Sequence, residues 1–216
     1  MSSQKEIFLE SEADAWFERN HQAILSCEFN DKSPIISELR SCLDSFPQGE
    51  GRCLLEIGCG EAKRLNYIQN HLGIKCFGIE PSFKAVEHAV KNGINVTQGT
   101  ADKLNFESNK FDFVVFGFCL YLCDRDDLFR IACEADRVLK NEGWILIHDF
   151  YSKMPQQHDY HHLTGIHSYK MDYRKLFDWH PAYTCYSQSI NHHGDISFTD
   201  YSNEWVATSV LRKKVK

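Results

Sequence analysis

No apolar run in the 216-residue chain approaches the roughly 20 residues that span a bilayer, so no membrane segment is expected. The start, Met1-Ser2-Ser3-Gln4-Lys5-Glu6, has no apolar signal core, which together with free thiols predicts a cytoplasmic protein. Basic charge is in short supply: 24 lysines and arginines stand against 30 aspartates and glutamates, a formal net charge of −6. Such a chain has no field to gather phosphate backbones, so nucleic acid is not an expected partner. The nine cysteines are odd in number and include no C-x-x-C pair or zinc-finger spacing. Several sit in apolar runs, as Cys53, Cys76 and Cys119 do, and read as buried free thiols of a reducing compartment. No internal repeat or low-complexity tract is visible. A composition with 43% hydrophobic and 13% aromatic residues is that of a globular chain able to bury a sizeable core.

The pattern along the chain alternates. Residues 4–30 read as helical, with Trp16, Phe17, Ile24 and Leu25 as apolar points. Ser33-Pro34 opens a second helix with Ser as its cap and Ile35, Ile36, Leu39 and Leu43 on one face. Residues 46–51 break it. Strands are then expected at 53–57, 75–80, 95–99, 111–117 and 143–148, separated by helices at 61–72, 82–92 and 124–140. Gly73 and Gly93 stand just past the first two of these helices. Past residue 150 the rhythm fails: 151–170 is rich in His, Tyr and Gln without a period, 171–179 reads as a short helix, and 183–190 and 204–211 as two strands, read as antiparallel. The expected fold is α/β: a Rossmann-like, doubly wound, mostly parallel sheet with an antiparallel C-terminal edge, plus N-terminal helices. Residues 1–48 are expected to form a helical cap, and 49–216 the Rossmann-like domain. Ligands of such sheets bind at the carboxyl ends of the strands, near the switch in strand order.

Glu56-Ile57-Gly58-Cys59-Gly60-Glu61-Ala62 ends the first strand. Glycines there let the backbone turn tightly and approach a ligand. A dinucleotide turn, G-x-G-x-x-G, wants a third glycine where Lys63 stands, and the Gly-Lys-Ser/Thr of a phosphate loop is absent. An acid two residues before the first glycine would repel a pyrophosphate and favour a cationic ligand. S-adenosylmethionine, with an ammonium and a sulfonium and no phosphate, fits. Glu80, about 20 residues further on, can accept both ribose hydroxyls, a feature shared with NAD enzymes. Asp102 after the third strand reads either as an acceptor for the adenine amino group or as a helix N-cap before Leu104.

Five segments in order resemble the motifs of class I S-adenosylmethionine-dependent methyltransferases: Leu54-Leu55-Glu56-Ile57-Gly58-Cys59-Gly60, Gly78-Ile79-Glu80-Pro81-Ser82, residues 99–106 with Ala101-Asp102, Phe111-Asp112-Phe113-Val114-Val115, and Arg137-Val138-Leu139-Lys140-Asn141-Glu142-Gly143. The match covers roughly 51–150. It departs at Ala62, where many members have a third glycine, and at Asn141-Glu142, where Pro-Gly is usual. The resemblance implies S-adenosylmethionine as cofactor and assigns Gly58, Cys59 and Gly60 to the methionine part. It gives Glu80 with Pro81 to the ribose and Ala101 and Asp102 to the adenine. Phe116, Gly117 and Phe118 would flank the sulfonium. Trp16-Phe17-Glu18-Arg19-Asn20 looks like a segment preceding some small-molecule methyltransferase domains, including ones of surface-sugar biosynthesis. There Trp16 would close over the cofactor and Arg19 pair the methionine carboxylate; the plainer reading is a surface helix packed on the domain.

Histidines cluster at 158–167 and 192–193. None shows the i, i+4 spacing of a zinc helix together with its Glu, and no metal is expected. As acceptor-site groups, His148 and Asp149 at the end of the fifth strand, and His161 and His162 after it, are candidates for taking a proton; His148 reads equally as a satisfied near-core residue. The expected activity is methyl transfer to O or N of a small molecule, a sugar derivative or other metabolite. Alternatives are a protein or nucleic-acid methyltransferase, a non-catalytic cofactor-binding module, and an NAD-dependent dehydrogenase. Phe116-Gly117-Phe118-Cys119 in place of an Asn/Asp-Pro-Pro-Tyr-type motif counts against base methylation, and Lys63 against the dehydrogenase.

Overall fold

The computed structural model describes residues 3–47 and 51–214. The chain opens with α1 (Gln4–Ile7), passes through a π-helical turn and continues as α2 (Ala13–Ser26). Cys27 turns extended, its N–H donating to the Ile24 carbonyl at 3.1 Å, and Lys63 Nζ donates to the carbonyls of Ile24, Leu25 and Cys27 at 2.7–3.0 Å. α3 (Pro34–Leu43) follows. Its expected cap differs: the Ser33 hydroxyl accepts from the Asn30 backbone, not from a helix N–H. α3 ends at Leu43 in a turn; of the expected break at 46–51, residues 48–50, with the 48/49 boundary, lie outside the described residues.

Alternation then runs β1 (Cys53–Ile57), α4 (Lys63–Leu72), β2 (Lys75–Glu80), α5 (Phe83–Lys91), β3 (Asn95–Gln98), β4 (Phe111–Gly117), α6 (Leu128–Val138) and β5 (Leu139–Phe150). A hairpin, β6 (Gln156–Asp159) with β7 (His167–Lys170), precedes β8 (Tyr183–His192) and β9 (Trp205–Lys213). The seven-stranded sheet has the order β3-β2-β1-β4-β5-β9-β8. β1 to β5 pair in parallel, and β9 and β8 close the edge antiparallel. The order reverses between β1 and β4, so their carboxyl ends frame the crevice.

Strand periodicity splits the core into two layers. Leu55, Ile57, Val114, Phe116 and Ile147 face α6. Leu54, Phe113, Val115 and Leu146 face α3, α4 and α5. α3 thus belongs to the sheet's core through Ile35, Ile36 and Leu39, which leaves only the segment before it standing clear of the sheet. Several outlines differ from expectation: the helix expected over 4–30 ends at Ser26, and α6 begins at Leu128 where 124 was expected. α4 begins at Lys63 because Gly58, Gly60 and Ala62 hold left-handed conformations. α6 ends at Val138, and β5 takes residues 139–142. The helix expected at 171–179 is a single 3-10 turn, Tyr173–Leu176. β6 and β7 were not anticipated: no residue of either strand is buried, so neither carries a buried-face alternation.

Both departures from the family pattern coincide with strain. Ala62 has φ +62° and Glu142 φ +61°, conformations that cost a non-glycine roughly 1–2 kcal/mol. Glu142→Gly should therefore raise stability by about 1 kcal/mol in urea denaturation. Ala62→Gly should come out near neutral: its methyl is buried at 1% exposure, and losing it costs about 0.8 kcal/mol. Equal gains at the two positions would contradict this account.

Candidate cofactor and acceptor site

A cavity of about 750 Å³ opens at the carboxyl ends of β1, β2 and β4, within the range of roughly 300–1,000 Å³ typical of small-molecule sites. Its floor is the expected loop, Glu56 to Gly60. Gly58 has φ +72°, donates its N–H to the Ile79 carbonyl at 2.8 Å, and any side chain there would collide with Cys119. Gly60 has φ +54° and donates its N–H to Glu80 Oε2 at 2.9 Å. Glu80 Oε1 accepts the Ser82 N–H at 3.0 Å. Burial pushes the Glu80 carboxyl up to about 7, against the pull of these two N–H groups.

Glu56 and Arg64 form the most unusual pair. Glu56 is 1% exposed, and burial raises its pKa, with Arg64 pulling the other way. Arg64 Nη1 stands 3.4 Å from Glu56 Oε1. Glu56 Oε2 and Arg64 Nε and Nη1 are buried without hydrogen-bond partners among the described residues, and both side chains line the cavity. Gly117 makes room for the guanidinium, with which a side chain at that position would collide. An anion and a cation with unspent hydrogen-bonding capacity, side by side in one cavity, are the complement of an α-amino-acid zwitterion.

Pro81, Ala101 and Asp102 line the next stretch. Asp102 caps no helix: the Leu104 N–H goes to Glu134 Oε2 at 2.8 Å. Lys5 Nζ instead binds Asp102 Oδ2 and Asp127 Oδ2, both at 2.7 Å. Burial opposes ionisation of Asp102, but the Lys5 contact outweighs it and holds the carboxyl below its usual range. Burial pushes the Cys59 and Cys119 thiols of the cavity well above the ordinary value, and Cys123 up to about 12, which disfavours their thiolates.

Gly117, Phe118, Trp16 and His162 also line the cavity. Phe118 holds φ +57°, a strained conformation for a bulky residue, and its ring packs on Phe150 and His193. Five candidates lie elsewhere. Phe116 is fully buried in the core, because strand alternation turns it toward the α6 layer. Arg19 pairs with Glu12 and donates to Tyr160 Oη at 3.2 Å, so its guanidinium ties α2 to the turn after β6. His148 is hydrogen-bonded to Thr208 Oγ1 at 2.8 Å, and burial lowers its pKa to about 3. Asp149 Oδ2 accepts the N–H groups of Cys119 and Leu120 at 3.1 and 2.8 Å, which fixes the turn after β4; burial raises this carboxyl to about 7. His161 is exposed and does not line the cavity.

Several cavity residues had no role assigned from the sequence: Lys5, Arg64, Tyr121 and Tyr160, with Asn20 and His193 noted only as members of a motif and a histidine cluster. Arg64 left one signal. It sits in the first turn of α4, where the helix dipole disfavours a cation.

Residues 55–147 match the family model described as a methyltransferase domain. Uncharacterised proteins of Mycobacterium tuberculosis and Mycobacterium bovis are 29% identical over 136 residues, covering 62% of this chain and 41% of theirs. The chain thus spans about two fifths of the length of the curated relatives it matches. Among solved structures, 1,6-didemethyltoxoflavin-N1-methyltransferase of Burkholderia thailandensis, with its substrate and S-adenosylhomocysteine bound, superposes with TM-score 0.72 at 13% identity, covering 100% of this chain and 92% of that one. A SAM-dependent methyltransferase of Methanosarcina mazei gives TM-score 0.63 at 17% identity, with 81% and 97% coverage. Over residues 55–147 the chain thus resembles a methyltransferase domain, on a Rossmann-like fold shared with solved S-adenosylmethionine-dependent methyltransferases. The family match covers a little under half of the chain, and the solved structures, all under 25% identical, share its fold.

Proposed function

We propose that the protein methylates an oxygen or nitrogen of a small-molecule acceptor with S-adenosylmethionine. The observation that carries this reading is the Glu56–Arg64 pair, whose unpartnered buried atoms offer an acceptor for the cofactor's ammonium and donors for its carboxylate. Glu80 would take the ribose hydroxyls and Ala101 with Asp102 the adenine edge. When bound, the cofactor supplies an activated methyl on a sulfonium. The chain's own task is then to align the acceptor in line with the carbon–sulfur bond and to keep water out.

The segment before α3 serves as a cap in this scheme. Trp16 and Asn20 of α2 line the cavity, and Lys5 and Arg19 fasten the segment to Asp102 and Tyr160. The acceptor end is the aromatic and imidazole wall of Phe118, Phe150, Tyr160, His162 and His193. Desolvation lowers the His193 pKa, so its neutral ring is suited to receive the proton that a hydroxyl or ammonium acceptor must lose. Of the proton acceptors expected from sequence, His162 keeps a place in this wall. A cavity roofed by α2 and an overall charge of −6 favour a small acceptor over a nucleic acid.

Calorimetric titration with S-adenosylmethionine should give one site per chain, and a panel of small hydroxyl and amine acceptors should yield S-adenosylhomocysteine with at least one. Absence of cofactor binding by the intact protein would sink the reading. Binding without turnover on any acceptor would favour a non-catalytic module.

A further inference from the structure

Outside the cofactor contacts, three ligating side chains from distant parts of the chain converge. His21 of α2, Glu61 of the loop after β1 and His88 of α5 place one nitrogen or oxygen each within 4.8 Å of one another. His21 Nδ1 lies 2.7 Å and His88 Nδ1 3.6 Å from the same oxygen, Glu61 Oε2. The two imidazole rings meet edge to face, 5.2 Å between centroids. The Glu61 side chain is 1% exposed, and its second oxygen, Oε1, is buried without a partner among the described residues.

We infer that His21, Glu61 and His88 form a binding site for a divalent transition ion of the zinc type, which fastens α2 to the glycine loop and to α5. A neutral His21 can donate its Nδ1–H to Glu61 Oε2 at 2.7 Å, but His88 Nδ1 at 3.6 Å is beyond hydrogen-bond reach of that oxygen and Glu61 Oε1 is left without a partner among the described residues. A cation among the three would draw in the His88 nitrogen and give the unpartnered Glu61 oxygen a role. Two nitrogens and a carboxylate are a borderline donor set, suited to zinc, cobalt or nickel and not to calcium or magnesium, which prefer all-oxygen shells.

The geometry is near what such an ion needs. Ligand atoms about 2.0–2.1 Å from a tetrahedral ion stand about 3.4 Å apart, and the observed separations of 2.7 and 3.6 Å bracket that value. The one competing contact is the Asn92 amide, 3.3 Å from His88 Nδ1. His21 and His88 are 25% and 37% exposed at their side chains, so solvent can fill the remaining position and an entry path exists. The ion would be structural and border the cavity: Glu61 lines it, His21 and His88 do not, and α2 carries Trp16 and Asn20 over it. The inference does not rest on the methyl-transfer reading, and its test does not measure turnover.

The full chain, stripped with a chelator, is titrated with Co²⁺ alone and with Zn²⁺ alone. The expected result is one equivalent of cobalt per chain, with visible d–d bands that zinc displaces. Wild-type amides of residues 13–26 should gain protection from hydrogen exchange when metal is added. His21→Ala and His88→Ala should each weaken binding by at least about tenfold, since loss even of an outer-shell partner costs 10–100-fold. His88 is only partly buried, 37% exposed at its side chain, so His88→Ala decides the matter if His21→Ala fails to fold. A thiolate-to-cobalt charge-transfer band, unchanged affinity in His88→Ala, or no saturable binding would overturn the assignment.

Discussion

Glu80→Ala is expected to lower the affinity for S-adenosylmethionine by two to four orders of magnitude in calorimetry. On the proposed reading, the Glu80 carboxylate accepts two ribose hydroxyls, and hydrogen bonds to a charged group are worth roughly 1.5–3 kcal/mol each. The loss of two corresponds to about 3–6 kcal/mol, which is about 10²- to 10⁴-fold. The same carboxylate accepts the Gly60 and Ser82 N–H groups, so the alanine variant also loosens the glycine loop that would hold the methionine part.

This prediction carries a pH signature. Burial raises the Glu80 carboxyl from 4.5 to about 7. Raised above its unfolded value, the group contributes stability that is fully present below about pH 4.5 and is lost as pH rises through about 7. Accepting two hydroxyl donors needs the anion, so cofactor binding near neutrality should release a proton. The dissociation constant should then rise about tenfold per pH unit below 7 and level off above it. Calorimetry in two buffers of different ionisation enthalpy measures that proton, and Glu80→Gln should flatten the profile. Asp149, also raised to about 7, shifts stability with the same sign. It lies outside the cavity lining and should leave the binding profile alone. A binding profile independent of pH would mean that Glu80 does not meet the ribose as an anion.

Much of the fold was legible because the parallel strands are buried on both faces. Phe111–Gly117, buried along its whole length, reads as an apolar run interrupted only by Asp112, whose carboxylate accepts the Cys53 N–H and pairs with Lys140, and was placed to the residue. The glycine turn was legible because its backbone demands are local: Gly58 and Gly60 both hold positive φ. The hairpin at 156–170 was not, since its side chains are polar on both faces. Topological nearness to a strand end also proved a poor guide to direction. His148 and Asp149 stand beside the crevice in the chain, yet strand alternation sends one to Thr208 and the other to the backbone of the next turn. Pairings across long sequence distances left no trace: Lys5 with Asp102, Arg19 with Tyr160, and His21 with Glu61 and His88 each join separate elements.

Arg64 is where this gap matters most, because the sequence offered Arg19 for the task its position fits. Arg64→Met should weaken S-adenosylmethionine binding by about 100-fold, as loss of a charge-assisted, bidentate contact costs on the order of 3 kcal/mol. It should also destabilise the fold, since removing one partner of a buried pair costs roughly 3–5 kcal/mol and Glu56 is left alone at 1% exposure. These two effects can be separated. The double variant Arg64→Met with Glu56→Gln removes the stranded charge and should regain most of the stability in urea denaturation without regaining cofactor affinity. Arg64→Lys keeps the charge but not the planar fork, and should fall between. Methylthioadenosine, which keeps the nucleoside and lacks the amino acid, is the deciding ligand. Its affinity should be unchanged in Arg64→Met if Arg64 reads the methionine carboxylate. If methylthioadenosine and S-adenosylmethionine lose affinity equally, Arg64 shapes the floor beneath Gly117 and the carboxylate is held by another group.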